Sequence, residues 1–569
     1  MALLACVTGG ACGPIILGRE NRLKGRSNVP AEVELLRGSA AYRDTIGSLS
    51  YYDASGPLAV RGIGLVVGLG TNGSRDCPKA VYDELVQRLY KSHDFSSPVV
   101  GTRSITPEEL IDDLDTAVVV VQGELPPAAV AGTRFDVTVG VLPGTQTRSL
   151  RGGRLFTTEL DVFRQVAPSR TLSGQTLARA GGPILVNPFE DGGAGEPGPL
   201  SGTVPGGGMV TKDRPIRLVL TQPSHVTARR IQDRLNAHFP SRGRVANATS
   251  PSFVELNVPT EYHADLGHFL SLVKALYLSG DPNFEAVRAR ELVNELRNPQ
   301  APHARIALCL EGLGRTVTSV IQELYADSRP YVSFHAGVAG LRLGDHIGAD
   351  AVALHAENPE SLHRFQAIRA LGEARDMGSA AAPLRKLLGD ADPRVRVAAY
   401  EALVQRQDAT LGSRRVGGDN FWLDRLAVEG RGLIYAKRSG ERRIALFGND
   451  LRCLPPILYR APDGCITATA EESDKTLTLL RTARLGGVAS PLLSAPLEAG
   501  PLLELLGNDA DVDADGQAIG LGLPYTAVLR LLHHLCESGA IRADFVLEQP
   551  NLAELIGPSR PEGRPESEL

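Results

Sequence analysis

The residues of this chain best suited to chemistry are a glycine cluster, an acidic turn and a few histidines and cysteines. Gly68–Gly73, GLGTNG, has the GxGxxG spacing, follows an apolar strand and precedes a helix. Such glycines let backbone approach a pyrophosphate at a helix N-terminus. Here Asp76, Cys77 and Pro78 separate the last glycine from the helix. The next strand, SPVVGTR, has no acidic residue to hold a ribose. A plain glycine turn is the reading that follows. Asp511, Asp513, Asp515 and Gly516 match the first half of a calcium loop, but the twelfth position is Gly522 where a bidentate Glu is needed. His263 and His268 are five residues apart and outside any HExxH pattern, and His533-His534 lies at the edge of an amphipathic helix. Seven scattered cysteines (Cys6, Cys12, Cys77, Cys309, Cys453, Cys465 and Cys536) form no CxxC pair. Cys453 and Cys465 are close enough to bridge a hairpin, which the sequence does not decide. No GxSxG elbow occurs. The expectation is therefore no catalytic, cofactor-binding or metal-ligating residue, no cofactor, and no enzyme.

The elements that would position such residues have the composition of a multidomain protein. The chain has 569 residues, 43% of them hydrophobic, enough for three or four packed domains. Its 60 Lys and Arg against 65 Asp and Glu leave a net charge of −5 without a long basic run, which argues against nucleic acid as a partner. No run of 18 apolar residues marks a transmembrane helix. The start, MALLACVTGGACGPIIL, is apolar without a basic leader, and Leu3-Leu4-Ala5-Cys6 has the look of a lipobox without its upstream part. A truncated signal peptide, a lipid anchor at Cys6 and an irregular N-terminus all fit.

Residues 1–41 read as this apolar start followed by a polar linker or outlying helix. Between 42 and 284 strands and helices alternate in an α+β pattern. RGIGLVVGL is a strand, and Pro78 to Tyr90 has helical periodicity. Val118 to Val121 reads as a strand buried on both faces. Phe135, Val137, Val139 and Val141 alternate with Arg134, Asp136, Thr138 and Gly140, as in a half-exposed strand. Residues 181–215, with GGAGEPGPLSG and VPGGG, read as turn-rich. IRLVL and FVELNVP are strands, and helices are expected at Ser224–His238 and Asp265–Leu278. From 285 to 410 the chain is helical and repetitive. A small residue followed by Leu recurs at Gly312-Leu313, Gly340-Leu341, Ala370-Leu371 and Ala402-Leu403. The last two units resemble HEAT repeats, whose helix pairs bury their apolar faces by stacking. From 411 to 550 strands return, with hairpins at Ser439-Gly440 and Asp463-Gly464, a helix at Thr526–Ser538 and a final strand, IRADFVLE. Residues 551–569 are rich in Pro, Glu and Ser and read as a disordered tail.

The stretch from Thr116 to Leu160 carries a family resemblance. Glu124-Leu125-Pro126-Pro127, then Gly132 with Asp136-Val137-Thr138-Val139, then Ser149-Leu150-Arg151-Gly152-Gly153 with Leu155, Thr158 and Leu160, resemble the ELPP, GxxxDVxV and SLxGGxLxxTxL motifs of the bacterial flagellar P-ring protein family. GIGLVVGLGTNGSRD is similar to that family's GxGLVVGLxGTGD, which accounts for the glycines without a nucleotide. VPGGGMV, TARRIQDRLNAHF and VELNVPTEYHADLGHFLSLVKAL resemble further family segments in order. GNDLRCLPPIL and LGLPYTAVLRLLHHLCESGAIRADFVLE do the same near the C-terminus. The resemblance covers about 42–280 and 440–548. Two departures stand out: the HEAT-like insertion, and a blurred Asn-Glu-Arg-Thr-Gly-Thr segment around YAKRSGERRIAL.

The resemblance implies an α+β protein interrupted by a helical solenoid. It also implies a structural, homo-oligomeric ring subunit of the flagellar basal body, in the periplasm. Its partners would be further copies of itself, the rod, the outer-membrane L ring and peptidoglycan. The insertion would project from the ring toward an unknown partner. The alternative reading is a non-flagellar periplasmic scaffold that grips a partner through the helical repeats.

Overall fold

The computed structural model describes residues 41–549 except 54–55, 92–98, 101–102, 105, 168–169, 188–197, 241–242, 264, 419, 463, 483–491, 510 and 513–517. Upstream it adds Val33, Leu36 and Ser39. Cys6 and its flanking motif, the 551–569 tail and the middle of the acidic turn fall outside the described residues.

The alternating strands close into a six-stranded antiparallel barrel in the order Leu58–Val67, Ala117–Leu125, Arg134–Val141, Ser201–Val210, Arg170–Pro183 and Arg154–Ala167. The Val run is buried on both sides because its two faces meet different partners. Val119 and Val121 point into the barrel with Val137, Val139, Leu155 and Leu160. Val118 and Leu65 lie under Leu85 and Leu89 of the Lys79–Lys91 helix. Closure needs glycine: a Cβ at Gly62 would stand 2.2 Å from the Glu159 carbonyl, and one at Gly64 would stand 2.1 Å from Thr158 Oγ1.

The VPGGG segment corrects the turn expectation. Val204–Gly208 runs within the Ser201–Val210 strand. Its extra residues form a bulge, since Phe135 pairs with Gly208 but Val137 pairs with Val204. A bulge lets the strand bend around the barrel while keeping its inward face apolar.

Next to the barrel, Ser50–Asp53, Ile216–Leu220, Phe253–Leu256 and Ala246–Asn247 make an antiparallel sheet. Helices His225–His238 and Leu266–Ala275 cover it, burying Ile231, Leu235, Phe269 and Val273. Ser224 and Asp265 cap these helices by accepting a backbone N–H.

The helical block consists of four pairs: Pro282–Leu296 with His303–Leu313, Thr318–Gln322 with Pro330–Arg342, His346–Glu357 with Arg364–Glu373, and Ala381–Leu387 with Pro393–Gln405. Leu313, Leu341, Leu371 and Leu403 each lie near the end of a second helix, and all are buried. The recurrence seen in sequence is thus the register of the stack.

The block is anchored at both ends. Its first two pairs share a core with Leu36, Tyr42 and Tyr277. Its last pair buries Tyr400 and Leu403 against Leu426, Leu433, Tyr435 and Phe447 of the C-terminal sheet. That sheet runs Arg414–Val416, Phe421–Leu426, Arg443–Phe447, Gly432–Ala436 and Ala543–Leu547. Its opposite face packs Phe421, Leu423, Ile434 and Ile444 on helices Ala499–Gly507 and Tyr525–Glu537 and on a second, four-stranded sheet. The molecule is α+β, with the solenoid bridging the two sheet-rich parts.

Candidate functional site

The glycine loop is already occupied by the protein itself. Asp115 accepts from Gly68 N at 3.0 Å and from Gly70 N at 2.6 Å. Both glycines have positive φ, and a Cβ at Gly73 would lie 2.0 Å from the Thr116 carbonyl. The N–H groups that would cradle a phosphate hold a carboxylate, and the loop is a clasp on the start of the Ala117–Leu125 strand.

The other chemistry-bearing residues are dispersed. His263 Nε2 lies 3.2 Å from the Val258 carbonyl, whereas His268 Nε2 pairs with Glu311 Oε1 at 2.7 Å and links the α/β layer to the first helical pair. His534 meets the Leu458 carbonyl, and His533 packs edge-on against Phe545. Cys453 and Cys465 are not joined as a disulfide, so the hairpin bridge left open by sequence is not made. Burial pushes the thiols of Cys309, Cys453 and Cys536 up to about 12, which keeps them protonated and poorly nucleophilic at neutral pH. Asp511 pairs with Gly520 in a short ladder, while Asp513 and Asp515 lie outside the described residues. Among the described residues no group of three or more His, Cys, Asp or Glu is placed to hold a metal ion.

What the fold does assemble is a junction. Asp136, on the barrel strand Arg134–Val141, accepts from Gly206 N at 2.6 Å and from Gly440 N at 3.0 Å. Gly440 is the left-handed corner of the hairpin between Gly432–Ala436 and Arg443–Phe447. The same hairpin is held from behind by Glu548, which accepts from Arg438 N at 2.7 Å, Ser439 N at 2.8 Å and Ser439 Oγ at 2.8 Å. One carboxylate from the barrel and one from the last strand therefore fix the blurred YAKRSGERRIAL segment across 304 and 110 residues of chain. Charge-assisted bonds of this kind are short and directional, as a rigid joint requires.

Beside the joint lies a cleft of about 540 Å³ between barrel and C-terminal sheet. Arg134, Arg154, Arg415 and Arg442 line it together with Trp422, the single tryptophan of the chain. Arg415 and Arg443 stack on Trp422 with centroid distances of 5.6 and 5.2 Å. Arg443 also donates to the fully buried Asp424 at 3.0 Å, and Asp424 accepts from the phenol of Tyr400 on the last helical pair. Burial, then the charge of Asp424, drives the Tyr400 phenol far above its ordinary range, so it stays a donor. The cleft, the joint and the solenoid seam are thus one connected network. Sequence reasoning missed it because its members come from seven separate stretches of chain, and no local pattern ties them together.

This geometry defines a class: a multidomain scaffold in which carboxylates and guanidiniums hold domains in fixed orientation. Comparison with known proteins gives the lineage. Residues 49–294, which span the barrel and its α/β neighbour, match the family described as Flagellar P-ring protein. Residues 349–413 match HEAT repeats, the two units that sequence had picked out. The chain is 32% identical over 248 residues to the flagellar P-ring protein of Geobacter metallireducens, covering 42% of this chain and 62% of that protein. It is 30% identical over 262 residues to that of Geotalea uraniireducens, covering 44% and 64%. To that of Caulobacter vibrioides it is 29% identical over 237 residues, covering 39% and 56%. The chain thus spans somewhat under two thirds of the length of these relatives. Residues 49–294 are thus similar to the flagellar P-ring proteins, and the chain carries in addition a segment similar to HEAT repeats from residue 349.

Proposed function

We propose that this chain is a structural, non-enzymatic subunit of a flagellar P ring. Many copies would surround the rod in the periplasm at the peptidoglycan layer, beneath the outer-membrane ring, and act as a bushing that shields the basal body from shear. The observation that carries this reading is the family match over residues 49–294, which coincides with the barrel and the sheet beside it. The motif resemblance at 440–548 lies outside that match and extends the proposal to the C-terminal sheet. A bushing needs stiff sheets and a repeating interface rather than reactive groups. Deleting the gene should remove the P ring from purified basal bodies and abolish or sharply reduce swimming. Basal bodies that keep an intact ring would overturn the proposal. Lipid attachment at Cys6 belongs to the same proposal, and mass spectrometry of the mature N-terminus decides it.

A second reading is a periplasmic scaffold of P-ring descent that holds a partner through the solenoid. It is favoured by Ile347, Leu354, Leu362 and Phe365, large apolar side chains exposed on the third helical pair and its connecting turn. Motility that survives deletion, with the purified protein monomeric, would favour this reading over the ring.

A further inference from the structure

We propose that the arginine-lined cleft between barrel and C-terminal sheet receives the acidic Glu108–Asp113 corner of a second copy of this chain, in a head-to-tail contact. This rests on the ring reading and names the surfaces that would build it.

The cleft has an excess of positive charge that its own carboxylates do not answer. Of the acidic residues on its wall, Asp136 is committed to the backbone of Gly206 and Gly440, and Glu441 to Arg443 at 2.9 Å. Arg134 donates only to the Gly206 carbonyl, and Arg154 is exposed. Neither has a carboxylate partner among the described residues. A concave wall with a net charge of one sign focuses its field on an incoming opposite charge.

The same chain carries the complement elsewhere. Glu108, Glu109, Asp112 and Asp113 surround a shallow hollow in which Arg75 is the one cation among the described residues. The hollow sits on the short Pro107–Ile111 helix, held rigid by its own capping box, in which Thr106 and Glu109 bond each other's backbone. Next to it Leu114 is 41% exposed and Tyr90 63% exposed, with the Tyr90 hydroxyl on Glu108. These offer apolar surface for Trp422 at the centre of the contact.

Cleft and corner share no residue, so the contact is heterologous. Made once between each pair of copies, it leaves one cleft and one corner open and so propagates into a ring or a filament.

The test uses the full chain in two charge-reversed forms. One carries Arg134→Glu with Arg154→Glu in the cleft, and the other Glu109→Arg, Asp112→Arg and Asp113→Arg at the corner; Arg154→Glu alone is a milder cleft variant. Sedimentation velocity at low salt should show wild type associating with concentration, more weakly as salt is added. Each variant alone should associate about tenfold more weakly or worse. Mixed in equal amounts they should regain association, because an intact cleft then meets an intact corner and the reversed cleft meets the reversed corner. Trp422 emission should shift in that mixture. Wild-type-like assembly of both variants, each with a wild-type melting curve, overturns the inference and leaves the ring reading standing. A mixture that associates no better than either variant alone also overturns it. A ring reading that fails shows itself separately, as an intact ring in basal bodies of the deletion strain.

Discussion

The barrel and the helical block hold themselves together with locks of opposite charge. In the barrel and its joint the locks are carboxylates aimed at backbone N–H groups. Asp115 serves Gly68 and Gly70, Asp136 serves Gly206 and Gly440, and Asp213 accepts from Ala131 at 2.8 Å. In the helical block the locks are guanidiniums aimed at carbonyls and acids. Arg364 reaches the Ala356 carbonyl and Asp390, Arg396 reaches the Leu388 and Arg431 carbonyls, and Arg406 reaches those of Leu371, Ala374 and Met377. The difference follows from the backbone. Glycine turns and bulges leave N–H donors without ladder partners, whereas every helix leaves its last carbonyls open. The two logics meet at one place, where Arg443 and Tyr400 both hold Asp424.

Four measurements would break or sharpen this contrast. The largest effect is expected where the systems meet. Asp424→Ala takes from Arg443, whose side chain is only 12% exposed, its buried partner, leaves it only the exposed Glu441, and strips the Tyr400 phenol of its acceptor, and should cost about 3–5 kcal/mol. The midpoint of chemical unfolding reads this out, and a loss no larger than that of an exposed pair would show that the seam is not what joins block and sheet. Arg406→Ala comes next, at about 1–3 kcal/mol, since it leaves several helix-end carbonyls without a donor. Arg406→Lys should recover little of that, because an ammonium cannot span the fork. If Lys restores full stability, charge rather than geometry makes the arginine lock. Asp115→Ala should cost about 1–2 kcal/mol and act locally. Hydrogen exchange should accelerate at the Gly68 and Gly70 amides while the helical block keeps its protection; protection lost in both would mean the regions are not separate locking systems.

The smallest effect expected is one of pH. His303, His335 and His363 stack or abut with centroids 5.7 Å apart, and Phe334 packs on both His363 and His355, whose own rings meet edge-on at 6.1 Å. Burial, then the charges of His363, His303 and His355, holds His335 down at about 4, and burial and His363 lower His355 as well. The folded pKa lies below the unfolded one, near 6.5, so the unfolded chain binds more protons in that interval. This contribution is complete above about 6.5 and is lost as pH falls toward 4. Tm should drop by roughly a few degrees between pH 7 and 5, and His335→Gln should flatten the slope. An unchanged slope in that variant would remove these histidines from the account.

Much of the fold was legible in sequence, and the reasons differ by region. The Val118–Val121 run, the alternation around Phe135 and the helices expected to begin near Ser224 and Asp265 are local signals, and each element appeared close to where its pattern placed it. The Leu recurrence gave the register of all four helical pairs. The histidine cluster went unread although it carried the same signal: His303, His335 and His363 are spaced 32 and 28 residues, close to the repeat period. VPGGG misled because a run of glycine after proline marks a turn and a barrel bulge alike. Sequence shows that the helical segment is extra but not that its two ends are buried against the rest of the chain.

By itself the sequence determined most element types, the repeat register and the resemblance of about 42–280 and 440–548 to the P-ring family, because these are written in spacing over tens of residues or fewer. The tertiary structure alone decided three matters. It showed that the glycine loop holds Asp115 and leaves no cradle for a phosphate. It seated the solenoid between two sheets rather than out in solvent. It also brought Arg134, Arg154, Arg415, Arg442 and Trp422 to one cleft. Each depends on pairings across long stretches of chain, and those are set by how buried faces close on one another, which no local pattern records.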